Sequence, residues 1–188
     1  FIPYINTIAT FLTRRCYEQL VIDASLHNQK IRLIANGGGL AYSSLGSTHL
    51  AVDDISIMRI IPNMTVIAVA DSQEMKNLMK ETTKWPNPIY IRIGAGNEKI
   101  ISKKKKFKFG ETITYKKGSK YIFVSTGIMT AKCLEIANIL EKKYDIGVIH
   151  CPTIQPLNFN KIKNKITKKT RGIFTFEDNY VSGGFGSL

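Results

Sequence analysis

The sequence predicts an α/β protein of two lobes, each a mostly parallel sheet with helices on both faces. Three observations lead there. Short apolar, β-branched runs alternate with helical patterns; several, such as "MTVIAVA" and "YIFVSTG", are apolar almost throughout, as strands covered on both faces are; and the pattern restarts after a lysine-rich stretch near residue 100.

The elements follow in order. From Thr10 to about Asn28, Phe11, Tyr17, Leu20, Val21 and Ala24 approximate the three-and-four spacing of an amphipathic helix. "IRLIANG" then reads as a buried strand running into the loop "GGGLAYSSLGSTHL", residues 37 to 50. Asp53 and Asp54 suit the N-terminus of a helix over "ISIMRII", which Pro62 ends. "MTVIAVA" is the next strand, and Asp71 with Glu74 three residues on has the spacing of a capping box before the stripe Met75, Leu78, Met79. "PIYIRIG" is another strand. Asn97 to about Lys108 reads as a linker. Beyond it come "ETITY", a "KKGSK" turn, strand "YIFVSTG", a helix from about Met129 to Lys143, strand "IGVIHC", a helix around Lys161 and strand "GIFTFED". The expected domains are 1–102 and 103–188.

The 188 residues carry a formal charge of +13, and its distribution decides how to read it. Residues 1–100 hold ten Lys/Arg against eight Asp/Glu; residues 101–188 hold seventeen against six. The second-half excess is almost all lysine, without interleaved aromatics, so a solvated basic face is the favoured reading over a nucleic-acid surface. No apolar run is long enough for a membrane helix, and the opening segment lacks the order of a signal peptide, so a cytoplasmic location is expected. Because the chain opens on Phe1 and stops at "GGFGSL", a fragment is also expected. Cys16, Cys133 and Cys151 are widely spaced and suggest buried thiols, not a disulfide or zinc framework.

No P-loop and no dinucleotide fingerprint is present. The glycine loop is the strongest candidate site. Three glycines allow positive φ and close approach, and the loop follows a strand directly, where open parallel sheets gather ligands. His49 at its far end can serve as acid, base or donor. His27 reads as a surface residue and His150 as a satisfied core histidine. "SGGFGS" near the end could present amides to an anion, but a structural turn is the favoured reading.

Several segments carry a resemblance. "ATFLTRRCYEQL", "GLAYSSLGSTH", "DISIMRIIPNMTVIAVAD" and "PIYIRIGAGN" look like the pyrimidine-binding domain of transketolases and of deoxyxylulose phosphate synthase. "VSTGIMTAKCLEIANIL", "TIQPLN" and "FTFEDNYVSGGFGS" resemble the C-terminal domain of the same thiamine-diphosphate enzymes, and the overall likeness is to the separate C-terminal half of split transketolases. The resemblance implies a partial pyrimidine-binding domain followed by a transketolase C-terminal domain lacking its last elements. It implies transfer of a two-carbon ketol unit from a ketose to an aldehyde. Thiamine diphosphate would be the cofactor, with Mg2+ bound mainly by a missing N-terminal domain or partner subunit.

Residue by residue, the resemblance places Phe11 against the cofactor's pyrimidine and Arg14 beside it. His49 falls at the donor sugar as the catalytic group, with Tyr42, Ser43 and Ser44 in the substrate pocket. A homodimer or heterotetramer acting on sugars or sugar phosphates is implied, without membrane or nucleic acid. Leu45, Ser47, Leu50 and Ala95 depart from the family pattern, and Ala95 stands where a basic residue often meets a substrate phosphate, which puts a phosphosugar in doubt. The family's activating glutamate and "GDG" diphosphate and metal motif have no counterpart in these residues, so this chain alone is expected to be inactive. Two alternatives stand beside this reading: the β-type half of a 2-oxo acid dehydrogenase, and a non-catalytic interaction module with a basic surface.

Overall fold

Strands β1 (Tyr4–Ile8), β2 (Arg32–Asn36), β3 (Thr65–Ala68) and β4 (Ile89–Arg92) form the first sheet of the computed structural model, which describes residues 1–188. They lie parallel in the order β1-β2-β4-β3, so Arg32 is paired on one side with Tyr4 and on the other with Ile89. β3 and β4 are buried along their whole length. One face packs Leu33, Val66, Ala68 and Tyr90 against Leu12, Leu20, Ile55 and Met58. The other packs Ile67, Val69, Ile89 and Ile91 against Leu78 and Phe107. A sheet covered on both faces leaves loops at its strand ends as the place for chemistry.

The first helical segment is broken where the periodicity predicts continuity. It runs as α1 (Ala9–Leu12), a 3-10 turn (Arg14–Cys16), α2 (Tyr17–Gln19) and a π-helical stretch (Leu20–Leu26). At the break the Thr13 hydroxyl donates to the Ala9 carbonyl at 2.8 Å, and the Cys16 thiol reaches the carbonyls of Phe11 and Leu12. Side chains that bond backward in this way compete with the helical ladder. The consequence is that Arg14 and Arg15 leave the helical register next to Phe11.

α3 (Asp54–Met58) and α4 (Ser72–Thr82) carry the chain between strands. At the start of α4 the Asp71 carboxylate accepts from Glu74 N at 2.9 Å, as the cap spacing predicts. Glu74 returns to the amide of Ala70, one residue earlier than a standard box. Asp71 also accepts from the amides of Ile101 and Ser102 and from the Ser102 hydroxyl. The expected linker is therefore tied down: Lys105 Nζ donates to the Thr114 carbonyl at 2.8 Å, Phe107 is buried, and Phe109 just beyond it stacks on Trp85 at 4.0 Å.

The second sheet consists of β5 (Ile113–Lys116), β6 (Tyr121–Ser125), β7 (Ile146–His150) and β9 (Gly172–Phe176), in the order β5-β7-β6-β9. β6, β7 and β9 are parallel and β5 is an antiparallel edge. α5 (Met129–Ile139) buries Cys133 and Ala137 against it, and α6 (Phe159–Lys163) follows β8 (Thr153–Gln155). β8 does not join the second sheet: it pairs antiparallel with β3 and completes the first as its fifth strand.

A polar cluster seals the two sheets. His150 is fully buried; Nε2 lies 2.9 Å from Glu74 across the lobes and Nδ1 2.8 Å from the Thr130 hydroxyl, so it is the satisfied core histidine that its apolar strand predicts. Cys133 and Cys151 are buried free thiols, pushed up to about 12 by burial; Cys16 is half-buried and raised for the same reason. No helix is long and apolar enough to cross a membrane.

Candidate functional site

The glycine loop leaves the carboxyl end of β2 and runs beside β4, where Gly37 N and Gly38 N donate to the carbonyls of Gly94 and Ile93. Each glycine has its own reason. Gly37 and Gly39 have φ of 68°, in the left-handed region. A Cβ at Gly37 would overlap the Tyr42 ring, one at Gly38 the Arg92 side chain, and one at Gly39 the carboxylate of Asp178. Backbone exchange between Gly39 and Ala51, at 2.8 and 3.2 Å, closes residues 40–50 into an Ω-shaped loop.

That loop is clamped onto the first helical segment. The Thr10 hydroxyl donates to the Thr48 carbonyl at 2.6 Å, and Arg14 donates to the carbonyls of Ser47 (3.2 Å) and Leu50 (2.6 Å) while lying 3.6 Å from Asp53. The result is a contact between two residues 38 apart in sequence: the Phe11 and His49 rings meet edge to face, centroids 5.2 Å apart. Both are half-buried. The Thr48 hydroxyl sits 2.8 Å from His49 Nδ1, and the Arg15 guanidinium lies 3.9 Å over one face of Phe11.

The structure thus brings together three of the residues singled out from sequence, Phe11, Arg14 and His49. Arg14 uses its Nη2 on the two loop carbonyls and turns its Nε to Asp53. Tyr42 is packed over Gly37, at the base of the loop, and Ser43 and Ser44 stand exposed in a 3-10 turn at its tip.

Sequence reasoning missed the foundation under the loop. Arg92, at the end of β4, is almost fully buried; its Nε lies 3.1 Å from Asp54, and its Nη2 donates to the carbonyls of Ala51 (3.0 Å) and Asp178 (2.5 Å). The Tyr90 hydroxyl donates to the same Asp54 oxygen at 2.7 Å. Burial pushes Asp54 above the usual carboxylate range, and Arg92 and Tyr90 offset part of that; burial and Asp54 push Tyr90 well up. An arginine inside "IYIRIG" was the available signal, since a charge in a buried strand requires a partner.

The second glycine-rich turn holds an anion of its own. The amides of Phe185 and Gly186 donate to the Glu177 carboxylate at 2.6 and 2.8 Å. It is the structural turn favoured from sequence.

Residues 1–98 match the family model of the transketolase pyrimidine binding domain, and residues 110–188 that of the transketolase C-terminal domain. Among curated proteins, an apulose-4-phosphate transketolase subunit of Actinobacillus succinogenes is 29% identical over 182 residues, covering 96% of this chain and 58% of that one. The 1-deoxy-D-xylulose-5-phosphate synthase of Clostridium perfringens strain SM101 is 31% identical over 188 residues, covering 98% of this chain and 30% of that protein. The chain therefore spans well under two thirds of these relatives' length. A solved structure, described as a split gene transketolase, inactive beta4 tetramer, superposes with a TM-score of 0.88 at 28% identity, covering 98% of this chain and 60% of that one. Two domain matches in this order, on two α/β sheets sealed against each other, carry the conclusion: the chain belongs to the transketolase family.

Proposed function

We propose that this chain is the C-terminal part or subunit of a thiamine-diphosphate-dependent enzyme that moves a two-carbon ketol unit from a ketose to an aldehyde, working with an N-terminal transketolase domain or subunit. The observation that carries the reading is the Phe11–His49 contact, held by clamps from Thr10 and Arg14 at the carboxyl end of a parallel sheet.

The residues fit the pyrimidine end of the cofactor. Phe11 offers a half-buried aromatic ring beside a half-buried imidazole, with the Arg15 guanidinium 3.9 Å over one of its faces. When bound, thiamine diphosphate would supply the electron sink for carbon–carbon cleavage. The chain's own residues do the rest. Phe11 holds the pyrimidine ring. Thr48 orients His49 through Nδ1, leaving Nε2 to hold or deliver a proton at a donor-sugar oxygen. Tyr42 shapes the loop base and Ser43 and Ser44 meet substrate hydroxyls. Diphosphate and Mg2+ ligands come from the partner in this reading, because the glycine-rich turn at 181–187 is filled by Glu177 and no group of three metal-ligating side chains converges here.

In sequence the pyrimidine-binding part takes residues 1–102 and the C-terminal part 103–188. Calorimetric titration of thiamine diphosphate with Mg2+ into this chain mixed with its N-terminal partner tests the reading. Saturable binding is expected, weakened at least tenfold by Phe11→Ala; no binding to the mixture overturns it. Turnover of ketoses and not of pyruvate-like acids separates it from the 2-oxo acid dehydrogenase alternative.

A further inference from the structure

The Ω-shaped loop carrying His49 has a narrow neck, and the second lobe grips it. Its two strands are Gly39 and Ala51, and His49 lies two residues inside. Asp178, two residues beyond β9, meets the first strand directly and the second through Arg92. Its carboxylate accepts from Leu40 N at 3.1 Å and fills the space a Cβ would need at Gly39. Its carbonyl shares Arg92 Nη2 with the carbonyl of Ala51.

The flanking residues fix Asp178 in turn. Tyr180 N donates to the Val52 carbonyl at 2.7 Å, and the Asn179 amide to the Ser56 hydroxyl at 2.8 Å. Residues 178–180 are thereby laid along residues 51–56, and Arg92 receives its own counter-charge from Asp54 beneath. A carboxylate in this position does what no first-lobe residue does: it bridges from the second sheet to the base of the loop.

We propose that Asp178 is a positioning residue for the site, contributed by the second lobe, which sets the neck of the loop and through it the place of His49. The inference rests on the reading of His49 as the substrate-facing group. It makes the site a product of both lobes, so that movement of the second lobe would loosen the loop.

The test uses the full chain, in which hydrogen exchange of residues 37–50 and the NMR signals of the His49 ring are compared among wild type, Asp178→Ala and Asp178→Asn. Asp178→Ala is expected to speed exchange in the loop at least tenfold and to shift the His49 ring signals, with β3 and β6 unchanged. Asp178→Asn, which keeps an oxygen for Leu40 N, is expected to stay within about twofold of wild type. Unchanged loop exchange in Asp178→Ala overturns the proposal, and so does acceleration spread evenly over both sheets. Neither readout needs turnover, so its failure is distinct from loss of ketol transfer, which bears on the proposed function.

Discussion

Two glycine-rich turns follow parallel strands in this molecule, and they end differently. The turn at 181–187 closes on Glu177, a residue just past its own strand that takes the amides of Phe185 and Gly186, while Arg59 and Ser56 of the first lobe donate to the turn's carbonyls. The loop at 37–50 closes on its own backbone at the Gly39–Ala51 bridge, is held from below by Arg92 and from the other lobe by Asp178, and keeps its polar side chains outward. Glycine content is common to both. What separates a structural turn from a candidate site is whether a carboxylate takes up the amides of the turn, as Glu177 does at 185–186, or the loop keeps polar side chains such as Ser43 and Ser44 free at its tip.

The contrast is broken most severely at Arg92. Arg92→Met leaves Asp54 buried without its counter-charge and is expected to cost about 3–5 kcal/mol in urea unfolding. The sign with pH follows from the folded Asp54 group, whose affinity for a proton is already raised by burial and rises further without Arg92. A protonated Asp54 needs no counter-charge, so the deficit is expected to shrink as pH falls from 8 towards 4. An equal deficit at both pH values would contradict the pairing.

A milder break separates two glycines of the same loop. Gly39→Ala meets both a left-handed backbone and the Asp178 carboxylate, and is expected to cost about 2–3 kcal/mol. Gly46→Ala, at φ of 80° with open space around it, is expected to cost about 1 kcal/mol, the backbone term alone. Thermal unfolding of the two variants side by side checks the difference. If they match, Asp178 does not grip the neck.

The smallest effect is expected in the other turn. Glu177→Gln keeps one acceptor oxygen and loses charge assistance, about 1 kcal/mol, with faster hydrogen exchange confined to residues 181–187. Spread of that change into residues 37–50 would show that the two turns are not independent.

What was legible in the sequence follows from range. Buried parallel strands such as "MTVIAVA" announce themselves by composition, and Gly37 to Gly39 mark a close approach wherever the neighbour comes from. His150 was readable as a core residue because its whole strand is apolar. β1 was missed: it is an edge strand, and "YINTI" mixes exposed polar and apolar residues. β8 is three residues long and pairs with residues 86 to 89 positions earlier in the chain. The helix break at Thr13 depends on backward hydrogen bonds that periodicity does not register. Arg92 and Asp178, 86 residues apart, meet only after both sheets are built.

The placement of β8 reaches into how the protein is made. The four parallel strands of the first sheet have left the ribosome once residue 92 is free, but the strand that covers the outer edge of β3 arrives 63 residues later. At 5–20 residues per second that is roughly 3–13 s during which β3, buried along its whole length in the finished protein, presents an open edge. Until the second lobe is made, the nascent first lobe carries an unpaired strand edge, the kind of surface that invites pairing with other chains.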